Sequence, residues 1–133
     1  MRYSIDAEPI FQVACHCANC QKESGSAFSV NLGFPAQAVS IRGRLKTYLD
    51  QGDSGRPVLR RFCPNCGSSM LSEIHLDPGV AIIKAGTLDD RSIVRPQRHI
   101  FCDSRQGWFG LPDDVAAHGK ATPISGADDH CAS

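Results

Sequence analysis

Apolar and polar residues alternate along much of this chain at the period of two that a half-buried β-strand requires. Phe28, Val30, Leu32 and Phe34 in "FSVNLGF" (28–34) give the clearest case. "AVSIRG" (38–43) and "LKTYLD" (45–50) repeat the alternation, and Gly43 suits a turn between them. Further strand candidates are "FQVAC" (11–15), "VLRRF" (58–62), "SMLSEIHL" (69–76), "VAIIKAG" (80–86) and "RHIFCD" (98–103). "QGDSGRP" (51–57), with two Gly, an Asp and a Pro, reads as a loop. Apolar positions on both sides of "CPNCG" predict two antiparallel strands joined at Cys63–Cys66. Helical periodicity is scarce, and "PDDVAAHG" (112–119) allows at most a short turn of helix. From Lys120 onward "KATPISGADDHCAS" has no period and reads as a flexible tail, so residues 1–119 make the domain and 120–133 its tail. The pattern predicts a mainly β domain.

Length changes this picture little: 133 residues make one ordinary domain. A chain of this size buries roughly two-thirds of the surface its unfolded form exposes, so a real core needs no staples. Charge excludes more. Fourteen basic and 14 acidic side chains cancel, whereas a protein that grips phosphate backbones needs clustered Lys and Arg. Arg56, Arg60, Arg61, Arg95 and Arg98 are too interrupted to form such a cluster, so no nucleic-acid partner is expected. No stretch has the length of a bilayer span, and no membrane association is expected. "MRYSIDAEPI" lacks the apolar core of a signal peptide and carries Asp6 and Glu8 instead. A cytoplasmic location follows by default. In a reducing compartment clustered cysteines read as metal ligands or catalytic thiols before disulfides, and seven of them cannot all pair internally.

The densest chemistry lies in "CHCANC" (15–20). Alternate residues of a strand share a face, so Cys15 and Cys17 point one way and a straight strand would carry Cys20 to the other. The three sulfurs can meet one metal only if the chain turns after Cys17, which a Cys-x-x-Cys supplies, at about 2.3 Å per Zn–S bond. Zn2+ is the expected guest of such a sulfur set. Three protein ligands leave a position open for a substrate atom, and four make a closed structural site. Cys63-Pro64-Asn65-Cys66-Gly67 is a zinc knuckle in sequence form, with Gly67 suited to a left-handed turn. It supplies two ligands. A single structural site built from Cys63, Cys66 and two of the first three cysteines therefore competes with two separate sites. His16 reads as a surface residue or one behind the ligands, rather than a ligand. Cys102 reads as a small apolar residue and Cys131 as a free thiol. Of the scattered His75, His99, His118 and His130, only His99 is a pocket candidate.

The order "CHCANCQKESGSAFS…RFCPNCGSSM…KAGTLDD…RPQRHIFCDSRQGWF" resembles the glutathione-dependent formaldehyde-activating enzyme family, also called centromere protein V-like, over roughly residues 3 to 115. The resemblance implies a β-tent fold, small antiparallel sheets leaning together with two zinc sites. It implies a catalytic-type zinc on Cys15, Cys17 and Cys20. It also implies a structural zinc on Cys63 and Cys66 completed by a Cys-x-Cys near the N-terminus. That pair is absent here and would fall just before Met1, so Cys63 and Cys66 are expected to be half of a site, with weak metal retention and lowered stability.

By the same resemblance the reaction is carbon–sulfur bond making or breaking, on a thiol–aldehyde adduct such as S-hydroxymethylglutathione. The expected partners are a glutathione-like thiol and a carbonyl compound. A zinc held by three thiolates is electron-rich and suits binding and ionising a fourth sulfur, so the nucleophile belongs to the substrate. Ser24 and Ser26 in the small-residue stretch "ESGSAF", Lys84 and Arg98 as carboxylate partners, and Trp108 as an apolar wall are the binding candidates; each also has an ordinary structural reading. The alternative is a non-catalytic zinc-binding β-tent module that binds a partner.

Overall fold

A computed structural model describes residues 1–51, 55–74 and 79–120, and in them the chain is mainly β. The strands are β1 (Arg2–Ile5), β2 (Phe11–Cys15), β3 (Ser29–Pro35), β4 (Val39–Arg42), β5 (Lys46–Gln51), β6 (Pro57–Phe62), β7 (Ser69–Ile74), β8 (Val80–Lys84), β9 (Arg98–Ile100) and β10 (Ala116–Ala117). One helix, α1 (Ala18–Ser24), follows β2. β1 and β4 form a two-stranded antiparallel sheet, and the other strands form a ladder in the order β10-β9-β2-β3-β8-β7-β6-β5. The ladder narrows between β7 and β8, where only Leu71↔Ile83 and Ser72↔Ile82 pair. These sheets, with the cysteine cluster at one end, are consistent with a β-tent.

The strands follow the alternation in the sequence, and β6 and β7 form the expected hairpin around Cys63–Cys66. Three features depart from expectation. Gly43 does turn the chain, at φ 109°, but β4 and β5 do not pair: β4 goes to β1 and β5 to β6. A side chain at Gly43 would meet the Met1 backbone at 2.8 Å, so the crossing between sheets needs a glycine there. The segment 112–119 holds a two-residue strand rather than a turn of helix, because His118 N donates to His99 O at 2.9 Å and extends the sheet. That pairing and β2 with β9 are parallel, among otherwise antiparallel neighbours. The tail after Lys120 lies outside the described residues, as do His75, His130 and Cys131. Among the described residues no helix is long and apolar enough to cross a membrane.

Alternation sends the apolar side chains into two clusters on opposite faces of the sheet. On one face Phe11, Val13 and Cys15 of β2 pack with Ile74, Ile82, Ile100 and Phe101. On the other, Leu32, Phe34, Leu71 and Ile83 are covered by Tyr3, Ile5 and Val39 of the two-stranded sheet. Leu32, Leu71 and Ile83 are almost fully buried, each contributing about 1.5–3 kcal/mol of hydrophobic stabilisation. β2 is covered on both faces over its whole length. It therefore delivers Cys15 from the most rigid part of the molecule.

Candidate metal centre

Cys15 ends β2, held between Ser29 of β3 and Ile100 of β9. His16 N then donates to Ile100 O at 3.0 Å and keeps the next residue in line. Cys17 is the N-cap of α1: its backbone is still extended (φ −65°, ψ 156°), and its Sγ accepts from Cys20 N at 3.3 Å. The first helical turn brings Cys20 back over the strand end. The turn that the spacing demands after Cys17 is thus a helix, stopped at Gly25 in the left-handed conformation (φ 63°). The three sulfurs lie within 4.8 Å of one another and have no solvent exposure. This group could hold a metal ion, and among the described residues no fourth His, Cys, Asp or Glu joins it.

The donor chemistry fits a cation. A hydrogen bond with Cys15 favours the Cys17 thiolate, but the bond with Cys20, burial and the charge of Cys20 outweigh it and push the Cys17 thiol up to about 11. Three adjacent buried thiols cannot all ionise near neutrality by themselves; a divalent cation removes that penalty. Soft, all-sulfur donors suit zinc.

His16 is wholly buried, not at the surface, and is not part of the sulfur group. Its Nε2 lies 2.9 Å from His99 Nδ1, and both rings pack with Phe28 and Phe109. Burial, with the charges of His99 and Arg105, pushes the His16 imidazole down to about 4, and burial also lowers His99. The two rings stack with centroids 5.2 Å apart.

Cys63 and Cys66 do not join the trio. Cys63 N donates to Ser68 O at 2.9 Å and Gly67 N to Cys63 O at 2.7 Å, with Gly67 at φ 79° as its knuckle position requires. Cys66 is exposed and 3.2 Å from Ser68 Oγ; that side-chain contact, then the Ser68 backbone and Cys63, lower its pKa. A cleft of about 420 Å³ beside the knuckle is lined by Cys63, Pro64, Asn65, Arg44 and Met1. Cys102 forms no ligand group with these sulfurs either, and burial raises its pKa.

A larger cleft of about 490 Å³ is lined by Ser24, whose hydroxyl bonds to Cys20 O, and by Ser29, which pairs with Cys15, but by none of the three cysteines. Glu23 and Ser24 of α1, Phe28, Ser29, Ser68, Ser69, Lys84 and Thr87 line it. Of the binding candidates, Ser24 and Lys84 reach it. Ser24 Oγ is engaged with Cys20 O at 2.7 Å, and the buried Lys84 Nζ holds Asn31 Oδ1 at 3.1 Å and stands 3.7 Å from Glu23 Oε2. Ser26, Arg98 and Trp108 do not line it. Trp108 is 72% exposed and forms no wall; the aromatic packing around His16 uses Phe109 instead. The sequence reading missed Glu23 and Arg60. Glu23 is one helical turn from Cys20, a spacing legible only once 18–24 is known to be helical. Arg60 reaches the same region from β6, with Nε 2.7 Å from Asp50 Oδ2, and no local pattern announces it.

The sequence profile of the glutathione-dependent formaldehyde-activating enzyme family matches residues 1–104. The chain is 29% identical over 104 residues to a protein of Talaromyces marneffei, covering 76% of this chain and 55% of that one. It is 30% identical over 121 residues to a protein of Penicillium rubens, covering 86% and 63%. Both relatives carry glutathione-dependent formaldehyde-activating enzyme as a provisional name. The chain thus spans less than two-thirds of the length of either. With that profile running through both cysteine motifs, the chain belongs to the glutathione-dependent formaldehyde-activating enzyme family.

Proposed function

We propose that Cys15, Cys17 and Cys20 hold a zinc ion and that the protein makes or breaks the carbon–sulfur bond of a thiol–aldehyde adduct such as S-hydroxymethylglutathione. One observation carries this reading: three mutually close sulfurs with, among the described residues, no fourth protein ligand. Zinc bound there supplies a position for a substrate sulfur and keeps that sulfur ionised at neutral pH. In the forming direction the thiol loses its proton, the sulfur–carbon bond replaces the carbonyl π bond, and the oxygen takes up a proton. The chain's own part is to bind and orient. Ser68 offers a hydroxyl to a peptide-like thiol, Phe28 an apolar wall, and Lys84, 3.7 Å from Glu23, a cation for a substrate carboxylate.

Cys63 and Cys66 fit half of a second, structural site. Met1 lines the cleft beside them, which supports a site completed by thiolates from upstream.

A zinc-stabilised interaction module without catalysis is the second reading, favoured by the zero exposure of all three sulfurs. Metal analysis and NMR exchange spectroscopy on formaldehyde–glutathione mixtures separate the two. The enzyme reading expects one zinc that depends on Cys17, and adduct exchange that the zinc-loaded protein accelerates and Cys17→Ser abolishes. Zinc binding without any acceleration leaves the module.

A further inference from the structure

β5 is the last strand of the eight-stranded sheet, and among the described residues no strand pairs with its outer edge. The sheet's other end closes with β10, two residues long and too short an edge to template another chain. All of β5 except Asp50 is exposed. Tyr48 is 59% and Leu49 65% exposed, more than any other large apolar side chain described except Trp108. An edge strand with an exposed apolar residue on each face is a ready template for a further strand. Gln51 closes one end of that edge. Its N donates to Asp50 Oδ1 at 2.8 Å, and its O accepts from Asn19 Nδ2 at 2.7 Å. Among the described residues, the edge that stays open is 46–50.

The charges on this edge say which strand fits it. Lys46 has no ion-pair partner among the described residues. Asp50, held by Arg60 Nε at 2.7 Å, keeps 25% of its side chain exposed. Lys46, Tyr48 and Asp50 share one face of the strand, the face that meets Asn19 and Lys22 of α1 across a cleft of about 370 Å³. A two-fold axis perpendicular to a sheet pairs identical antiparallel strands so that the residue on the axis stands opposite itself. Only Tyr48 centres the five open positions. With Tyr48 on the axis, Lys46 of each copy faces Asp50 of the other, Thr47 faces Leu49, and no like charges oppose. We propose that β5 pairs antiparallel with β5 of a second copy of this chain, centred on Tyr48, giving one sheet continuous through both copies. An edge lysine commonly keeps other strands away; here it selects a strand with a carboxylate opposite, which the chain's own β5 supplies. Five residues a side fall far short of the about 20–30 of a standard interface, so the dimer is weak and concentration-dependent. Nothing in this pairing depends on a metal at the trio.

The test is sedimentation equilibrium of the full chain over a range of concentrations, with variants at exposed positions. The parent should show a reversible monomer–dimer equilibrium. Tyr48→Lys, which sets two cations opposite each other on the axis, should be monomeric. Lys46→Glu, which sets a carboxylate opposite each Asp50, should weaken the dimer roughly tenfold or more, and more than Lys46→Ala does. Trp108→Lys, more exposed but outside β5, should dimerise like the parent. A parent that stays monomeric up to about 1 mM overturns the proposal, and an edge built for an extended segment of another protein gives that same result. A dimer that Tyr48→Lys leaves intact, or that Trp108→Lys breaks equally, also overturns it. Lys46→Glu no weaker than Lys46→Ala removes the register and the self-pairing with it. If Tyr48→Lys does not fold, the comparison of Lys46→Glu with Lys46→Ala decides alone.

Discussion

Gly33 offers a sharp test of how the sheet holds the strand that carries Cys15. It sits directly opposite Phe11 in the β2–β3 ladder, and the Phe11 ring lies across it. A Cβ added at Gly33 would lie 2.1 Å from Phe11 Cε2, 2.4 Å from Cζ and 2.7 Å from Cδ2. The ring must therefore swing away. Phe11 is 3% exposed and packed with Val13, Ile82 and the cysteine trio, so the swing disturbs the strand that carries Cys15. Overpacking of this kind costs about 1–3 kcal/mol, a loss of several degrees in Tm for a domain of this size. The assay is a double-mutant cycle by denaturant unfolding. Phe11→Leu alone loses apolar burial on the order of 1 kcal/mol. With the ring gone, Gly33→Ala should cost less than half of what it costs in the parent. Energies that add within about 0.5 kcal/mol, the scatter expected of independent sites, would refute the claim that this contact demands a glycine. A Gly33→Ala variant as stable as the parent would refute it outright.

Three further outcomes are expected. Gly25→Ala, with nothing within 4 Å of the new methyl, strains only the left-handed cap of α1; it should cost about 1 kcal/mol, and no change in unfolding free energy would count against the cap. Native-state alkylation followed by peptide mapping should label the exposed Cys66 first among the described cysteines and the trio last, and labelling of Cys15, Cys17 or Cys20 as fast as Cys66 would contradict their burial. A chain extended upstream of Met1 by Gly-Cys-x-Cys should hold more zinc and melt higher than the parent; if metal analysis and thermal unfolding both show no gain, Cys63 and Cys66 are not half of that site.

Much of this protein could be read from local pattern, because local pattern reports what a strand and a knuckle need. Period-two alternation marks β3, β4 and β5, although β5 stays largely exposed, and the short apolar run of 80–86 marks β8. CPNCG marks its own turn, since Gly67 needs a positive φ whatever surrounds it. The trio was legible as well: Cys-x-Cys-x-x-Cys cannot gather its sulfurs on a straight strand, so a bend after Cys17 was forced. That the bend is a helix was not, because seven residues without an apolar stripe carry no helical period. Partners lay beyond the reach of the pattern too. Alternation in 38–43 and 45–50 specifies two strands but not with whom they pair, and neighbours in sequence went to different sheets. β1 was passed over because four residues with two apolar positions are too short a signal; Tyr3 and Ile5 gain meaning only where they cover the core.

The charges around Glu23 and Arg60 show the same division. Cys15, Cys17 and Cys20 are close because they are close in sequence. Glu23, Arg60, Asp50 and Lys84 come from α1, β6, β5 and β8, and only the strand register brings them together. Trp108, the conspicuous aromatic of the sequence, ends up exposed, while the plainer Phe28 and Phe109 pack around His16. Residue type and spacing state what a short segment can bind; which side chains stand behind it depends on contacts between segments far apart in the chain, and those are set by the burial of the whole sheet.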